Sequence, residues 1–170
     1  KYSRKDVFRI LNVDQNPVAQ NVGGYLVSPD NKHCPIFVNY HKEEHISEST
    51  KYEDEFVNNQ EFDWMTKSNR TLNSNDVQSI LGKRGPIRLP LFIKKNNDEG
   101  TEFYYMGEVS PELNQVEQTT IPNDKGRQLS VVKIRFNLST PVTASMYNYL
   151  REKSVKEIVK TEPVGSITPI

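Results

Sequence analysis

An α+β fold, mostly β, with a curved sheet closed partly into a barrel and about three short helices, is what this 170-residue sequence predicts. Runs rich in β-branched and aromatic residues recur along the chain and are separated by turns containing Gly, Asn and Asp. Helical apolar spacing occurs only in short stretches. A sheet of that many strands protects its pairing edges by curling towards closure.

Ser3-Arg-Lys-Asp6 reads as a capping box, and Val7, Phe8, Ile10 and Leu11 follow as an apolar stripe, so a helix is expected from about Arg4 to Leu11. Gly23-Gly24 breaks the chain before a strand at Tyr25-Leu-Val27. Pro35-Ile-Phe-Val-Asn-Tyr40 is a second strand, and His41 to Lys51 reads as loop. Ser74 is a good N-cap, Asp76 suits a first turn and Gly82 a stop, which predicts a helix over Ser74 to Leu81. Ile87 to Lys94 and Thr101 to Val109 flank the polar turn Asn96-Asn-Asp-Glu-Gly100 as a β-hairpin, with Pro90 suited to an edge or bulge and Gly107 to a bend. Asn114 to Thr120 and Leu129 to Leu138 are further strands, joined by the turn Pro122-Asn-Asp-Lys-Gly126. Thr140-Pro141 opens a last helix carrying Val142, Met146, Tyr149 and Leu150. One domain over 1–153 and a C-terminal tail over 154–170 are expected.

Composition narrows the function classes. Hydrophobic residues make up 35% of the chain, enough for a folded core when seven Phe, eight Tyr and one Trp contribute to it. No apolar run reaches membrane-spanning length and no signal peptide opens the chain. The first residue is Lys1, so an excised fragment or an earlier beginning is expected. The single cysteine, Cys34, excludes an internal disulfide and fits a reducing, cytoplasmic setting. Net charge is zero, yet the charges are segregated. Glu43 to Asp63 holds eight acidic residues against Lys51, and Trp64 to Lys95 holds seven basic residues against Asp76. A basic face that tracks a phosphate backbone would produce that pattern.

No catalytic set emerges. His41-Lys-Glu-Glu-His45 has the His-x-x-Glu-His form of inverted zinc peptidases, but that chemistry needs a helix, and His41 directly follows a strand. Gly82-Lys-Arg-Gly85 lacks both the context and the ending of a phosphate-binding loop. Glu53, Asp54 and Glu55 form a local acidic run of the kind that is normally solvated, and neither Ile93-Lys94 nor Val132-Lys133 has the Asp/Glu-x-Lys form of a nuclease strand. No catalytic residue, metal or cofactor is assigned to this chain.

Recognition remains. Tyr40, Tyr52, Phe62, Trp64, Tyr104 and Tyr105 supply aromatic faces on which a base can stack. Ser68 and Asn69, with Arg70 and Thr71, follow Trp64 closely and offer directional donors suited to a planar polar ligand such as a nucleobase. Lys67, Lys83 and Arg84 are candidates for phosphate contacts.

An ordered series of short motifs resembles a known family. It comprises Tyr2-Ser-Arg4, Gly24-Tyr25, Pro35-Ile-Phe-Val-Asn-Tyr-His-Lys42, Tyr52-Glu-Asp-Glu-Phe56, and Phe62-Asp-Trp64 with Ser68-Asn-Arg-Thr71 and Ser74. Leu91-Phe-Ile-Lys94, Phe103-Tyr-Tyr-Met-Gly107, Phe136-Asn-Leu138 with Pro141-Val142, and Tyr147-Asn-Tyr-Leu150 complete it. The series is similar to the C-terminal domain of unknown function in bacterial proteins that fuse a phospholipase-D-like nuclease to a DEAD/DEAH-type helicase. Members of that architecture look like type IV restriction enzymes of the SauUSI kind, which cut DNA containing 5-methylcytosine or 5-hydroxymethylcytosine. The resemblance implies a target-recognition domain with an SRA- or PUA-like barrel that flips the modified base out of duplex DNA. It also implies a nuclease and a motor upstream in the same chain, with ATP and magnesium belonging to them, and a possible homodimer through the parent.

On that reading Tyr40, Tyr52 and Trp64 would sandwich the cytosine, with Ser68 beside them, and Asp54 would accept from its exocyclic amine. Lys42, Lys67, Asn69, Arg70, Thr71, Lys83 and Arg84 would hold the DNA around it. Two alternatives stay open. One is a sequence-specific duplex reader indifferent to methylation, using a loop or strand in the major groove. The other is a protein-docking or dimerisation module, which the neutral charge favours.

Overall fold

A computed structural model of the chain describes residues 1–11, 24–41, 54–96 and 100–152. Lys42, Tyr52, the second histidine of the His-x-x-Glu-His segment, part of the turn at 97–99 and the expected tail lie outside them. The described residues form a mostly β fold with three short helices, as expected. Strands β1 (Tyr2–Ser3), β2 (Ile36–Asn39), β3 (Glu55–Phe56), β4 (Glu61–Met65), β5 (Leu89–Lys94), β6 (Glu102–Pro122) and β7 (Gln128–Leu138) join in one sheet. Its order is β2-β5-β6-β7-β4-β3, with β1 paired to β6 off that path. Only β2 and β5 run parallel; the other pairs are antiparallel. The sheet curls into a half-barrel.

Alternation along the strands divides the apolar residues between its two faces. Ile36 and Val38, Leu89, Leu91 and Ile93, and Ile134 and Phe136 enter one large core. Helix α2 (Asn75–Ile80) contributes Val77 and Ile80 to it, and helix α3 (Ala144–Arg151) contributes Leu150. The opposite face carries Phe37, Phe92 and Phe103, and helix α1 (Arg4–Ile10) covers them with Val7 and Phe8.

Local chemistry explains the helix starts. Ser3 accepts the Asp6 N–H at 3.2 Å while its own N–H donates to Asp6 at 3.1 Å, the expected capping box. Thr143 accepts the Met146 N–H at 3.3 Å and caps α3, three residues later than the Thr140-Pro141 start suggested. Ser74 stands at the N-cap of α2 without capping through its side chain; its hydroxyl instead accepts the Thr71 N–H at 2.9 Å.

Three expectations are corrected. Tyr25-Leu-Val27 is not a strand: Tyr25 makes a single bridge to Ile36. The segments Thr101 to Val109 and Asn114 to Thr120 are one 21-residue strand, β6. It bends where Gly107 takes a φ of 88° and where its register against β7 shifts between Pro111 and Val116. The aromatic stretch around Trp64, read for its ligand chemistry, is strand β4, paired between β7 and the short β3. Pro90 does sit at a register shift in β5, where the ladder needs no donor.

Candidate nucleic-acid interface

One end of the half-barrel is an edge of loops tied to each other by hydrogen bonds. The turn after Ser28 is held by its own side chains: Ser28 donates to Asp30 at 2.6 Å, and the Lys32 and His33 N–H groups donate back to the Ser28 hydroxyl. Asn31 takes a φ of 61° at its apex. Its amide donates to the Arg84 carbonyl at 3.3 Å and its oxygen accepts from Ser79 at the end of α2. The Arg88 N–H donates to the Lys32 carbonyl at 2.8 Å, so the turn at 28–33 and the turn at 82–88 form one unit. Lys32, Lys83 and Arg84 are exposed on it.

The loop between β4 and α2 is anchored beside this unit by a partly buried network around Tyr25. Tyr25 donates its phenol to Asp76 at 2.9 Å, and Arg70 donates Nε to the same oxygen at 2.7 Å. Lys67 donates its N–H to the Tyr25 oxygen and its ammonium to the Tyr25 carbonyl at 2.9 Å, lying 4.4 Å above the ring. Burial works to raise the pKa of Asp76, but the hydrogen bonds from Arg70 and Tyr25 outweigh it and hold the carboxyl below its ordinary range. Burial, with the Asp76 charge behind it, pushes the Tyr25 phenol up. Burial, aided by the Arg70 charge, lowers Lys67. The same loop grips the β6–β7 hairpin: the Arg70 N–H donates to the Ser130 carbonyl at 3.2 Å and the Leu72 N–H to the Gln118 side chain at 2.9 Å.

Next to this edge, between α1 and the outer face of β5 and β6, lies a cleft of about 230 Å³. Aromatic rings line it. Tyr105 tilts against Phe92 at 5.2 Å, and Tyr2 meets Phe92 edge-on at 6.2 Å. Tyr105 is 49% exposed and Ile10 63% exposed, so the cleft offers ring and aliphatic surface to solvent. Its polar wall is His33 with Arg88, which grips Glu108 through two contacts of 2.6 and 3.2 Å. Burial, then the Glu108 charge, raises the Tyr105 pKa. Because His33 and Arg88 belong to the turns that carry Lys32, Lys83 and Arg84, the aromatic cleft opens directly beside the cationic edge. Sequence reasoning named Tyr105 among the aromatic faces but not Tyr2 or Arg88. The alternation of Phe103 and Tyr105 against Tyr104 and Met106 was the available signal.

A second cavity of about 300 Å³ lies along β4, β7 and the bulged part of β6. Glu55, Asp63 and Glu117 line it with Lys133 and Arg135, and Arg135 grips Asp63 at 2.8 and 3.2 Å. Three carboxylates against two cations make it a poor seat for a phosphate backbone.

The residues expected around a base are distributed differently. Trp64 is among the residues lining the second cavity, but it is 3% exposed and packed on by Tyr25 at 5.1 Å and Phe136 at 5.4 Å, so it belongs to the core and little of its ring is open to a ligand. The cause is strand alternation, which turns Phe62 and Trp64 to the core and Asp63 outward. Tyr40 is half-buried, stacked on Phe56 at 5.6 Å, with its hydroxyl accepting the Phe56 N–H. Asp54 is buried and accepts the Met65 N–H at 3.0 Å. Ser68 offers its carbonyl to Arg70. Tyr40, Asp54 and Ser68 line neither cavity. Lys67 and Arg70 are half-buried struts of the Tyr25 network, their charged groups already bonded to the Tyr25 carbonyl and to Asp76. Asn69, exposed with a φ of 62°, and Thr71, beside the hairpin, do lie on the loop edge, as do Lys83 and Arg84. Among the described residues no cluster of His, Cys, Asp or Glu is arranged to hold a metal, and no helix is long and apolar enough to cross a membrane.

Comparison with known proteins gives a family and a slight structural likeness. A family model described as a domain of unknown function, DUF3427, matches residues 1–150. The crystal structure of Arabidopsis thaliana SUVH6 in complex with SAM is similar at 15% sequence identity and a TM-score of 0.48. That match covers 91% of this chain but 28% of the SUVH6 chain. No curated protein matches.

Proposed function

The chain belongs to the DUF3427 family, and we propose that it recognises duplex DNA carrying a modified cytosine, 5-methylcytosine or 5-hydroxymethylcytosine. It does so on behalf of a nuclease and an ATP-driven motor elsewhere in the same polypeptide, as the restriction-enzyme resemblance implies. Chemistry, ATP and magnesium belong to those parts, in a cytoplasmic parent that can dimerise. The domain itself binds and discriminates.

The observation that carries this reading is the aromatic cleft lined by Tyr2, Phe92 and Tyr105 next to the exposed cations Lys32, Lys83 and Arg84. Phosphates held on the cationic edge leave a neighbouring nucleotide within reach of the cleft. An extruded pyrimidine then stacks on the Tyr105 ring, worth about 1–3 kcal/mol. Glu108 keeps lone pairs beyond those given to Arg88 and accepts from the exocyclic amine of cytosine, an edge that thymine lacks. The aliphatic surface of Pro90 and Ile10 takes the 5-methyl group. Burying one methyl is worth about 0.8 kcal/mol, which is roughly a fourfold preference over plain cytosine.

The test compares matched duplexes with cytosine, 5-methylcytosine or 5-hydroxymethylcytosine at one salt concentration. The modified duplexes should bind more tightly, by roughly fourfold for the methyl group alone. Equal affinity for all three would leave a methylation-blind duplex reader. A docking module is favoured by the same cleft's exposed Tyr2, Ile10 and Tyr105, which suit a protein partner as well as a base. Failure to bind any duplex at low salt, together with a concentration-dependent dimer in sedimentation, would select it.

A further inference from the structure

The β6–β7 hairpin reaches past the rest of the sheet. Strand β4 covers β7 only from Lys133 to Asn137, and the loop after β4 is bonded to Val132 and Ser130. Beyond Ser130 the two strands run on alone through Ile121↔Leu129 and Pro122↔Gln128 to a turn. The turn is stapled from within. The Asn123 side chain accepts the N–H groups of Lys125 and Arg127 at 2.9 and 2.8 Å, the Asn123 N–H donates to the Arg127 carbonyl at 2.7 Å, and Gly126 takes a φ of 78°. This is a rigid tip on a braced root, not a loose loop.

The exposed side chains on it are those of a groove reader. Thr120, Pro122 and Gln128 stand on one face of the ribbon and are exposed, and Lys125 and Arg127 flank the tip, two cations against the single acid Asp124. None is a large apolar anchor of the kind that dominates protein interfaces. Dimensions agree: three residues beyond the brace project about 10 Å, and a B-DNA major groove is about 8.5 Å deep and wide enough for a two-stranded ribbon.

We infer that this hairpin enters the major groove and reads the bases flanking the modified cytosine, Gln128 by paired hydrogen bonds to an adenine edge and Lys125 and Arg127 by contacts to guanine or phosphate. The inference rests on the DNA-recognition reading. Rigidity matters to it, because a preformed tip loses little freedom on insertion.

The experiment selects bound duplexes from a pool with one central 5-methylcytosine and randomised flanks, using the whole chain and the variants Gln128→Ala and Lys125→Ala/Arg127→Ala. Wild type should enrich a preferred base in the flank. Gln128→Ala should flatten the preference at one position and weaken binding to the preferred duplex by roughly 5- to 150-fold, with unfolding midpoints unchanged because these side chains are exposed. A second arm leaves the protein untouched: a preferred duplex with 7-deazapurine at that position, which lacks the major-groove N7 acceptor, should bind less tightly. Wild type that binds the modified duplex but shows no flank preference, or the same preference in every variant, overturns the inference and leaves DNA recognition standing. Wild type that binds no duplex overturns both.

Discussion

The Trp64 ring is packed on by Tyr25 and Phe136, so truncating it opens a void that the half-barrel cannot close. Trp64→Ala should cost about 3–5 kcal/mol of stability. Tyr105, about half exposed, should behave in the opposite way: Tyr105→Ala leaves the urea midpoint nearly unchanged and weakens DNA binding by about 1–3 kcal/mol. Parallel unfolding and binding titrations of the two variants separate a core ring from a ligand-facing one, and a destabilised Tyr105→Ala with unchanged affinity would remove the cleft from the site. The charge crossover after Trp64 leads to Asn69, Lys83 and Arg84, which the fold gathers exposed on the loop edge. It could not separate the exposed cations from Lys67 and Arg70, because their capture by Tyr25 and Asp76 depends on residues up to 51 positions apart. The period of Glu61-Phe-Asp-Trp-Met65 did carry the warning about Trp64, for alternating polar and aromatic residues announce a strand with one buried face.

Between elements, the Tyr25–Asp76–Arg70 network pins the loop after β4 to the start of α2, and through the Arg70 N–H to the hairpin root. The Arg70 and Asp76 side chains are 32% and 20% exposed, so loss of the carboxylate strands two partners that water reaches only in part. Asp76→Ala should therefore cost about 1–3 kcal/mol at pH 7. The Asp76 pKa is depressed in the folded chain, so its contribution is complete above the ordinary carboxylate range and is lost as the pH falls through the folded value. Urea unfolding at pH 7 and pH 3 should show the gap between wild type and variant narrowing in acid; a gap that widens would mean the carboxylate is not the stabilised form. At this scale most of the fold was legible in the sequence. The capping box of α1, the hairpin of β5 and β6, and the Pro90 bulge all follow from local chemistry. The continuity of β6 was not legible, because Ser110-Pro111 reads as a strand end. In the structure Pro111 lies at the register shift, where a missing N–H costs little. Tyr25 makes one bridge to Ile36 and sends its phenol to Asp76, 51 residues on, a pairing that local sequence does not show.

At the scale of the whole molecule, net charge is zero, yet the described residues group some of their charges by sign. Lys32, Lys83 and Arg84 stand exposed on the loop edge, whereas Glu55, Asp63 and Glu117 outnumber Lys133 and Arg135 around the polar cavity along β4 and β7. A duplex approaching the loop edge meets these exposed cations, so its attraction is local even though the net charge of the chain is zero. The consequence is measurable. Each phosphate neutralised by a protein cation releases condensed counterions, and the logarithm of the binding constant falls against the logarithm of salt by about 0.9 per contact. Lys83→Ala/Arg84→Ala removes two exposed cations that make no ion pair among the described residues, so the fold should be unaffected while the salt slope shrinks by about 1.8. The methyl preference should survive in that variant, because the cleft around Tyr105 is intact and only the backbone contacts are lost. Titrations at four or five salt concentrations with methylated and plain duplexes resolve both quantities. An unchanged slope would move the phosphate path away from this edge, and a methyl preference lost together with the slope would mean that the cleft and the edge do not act as separate parts.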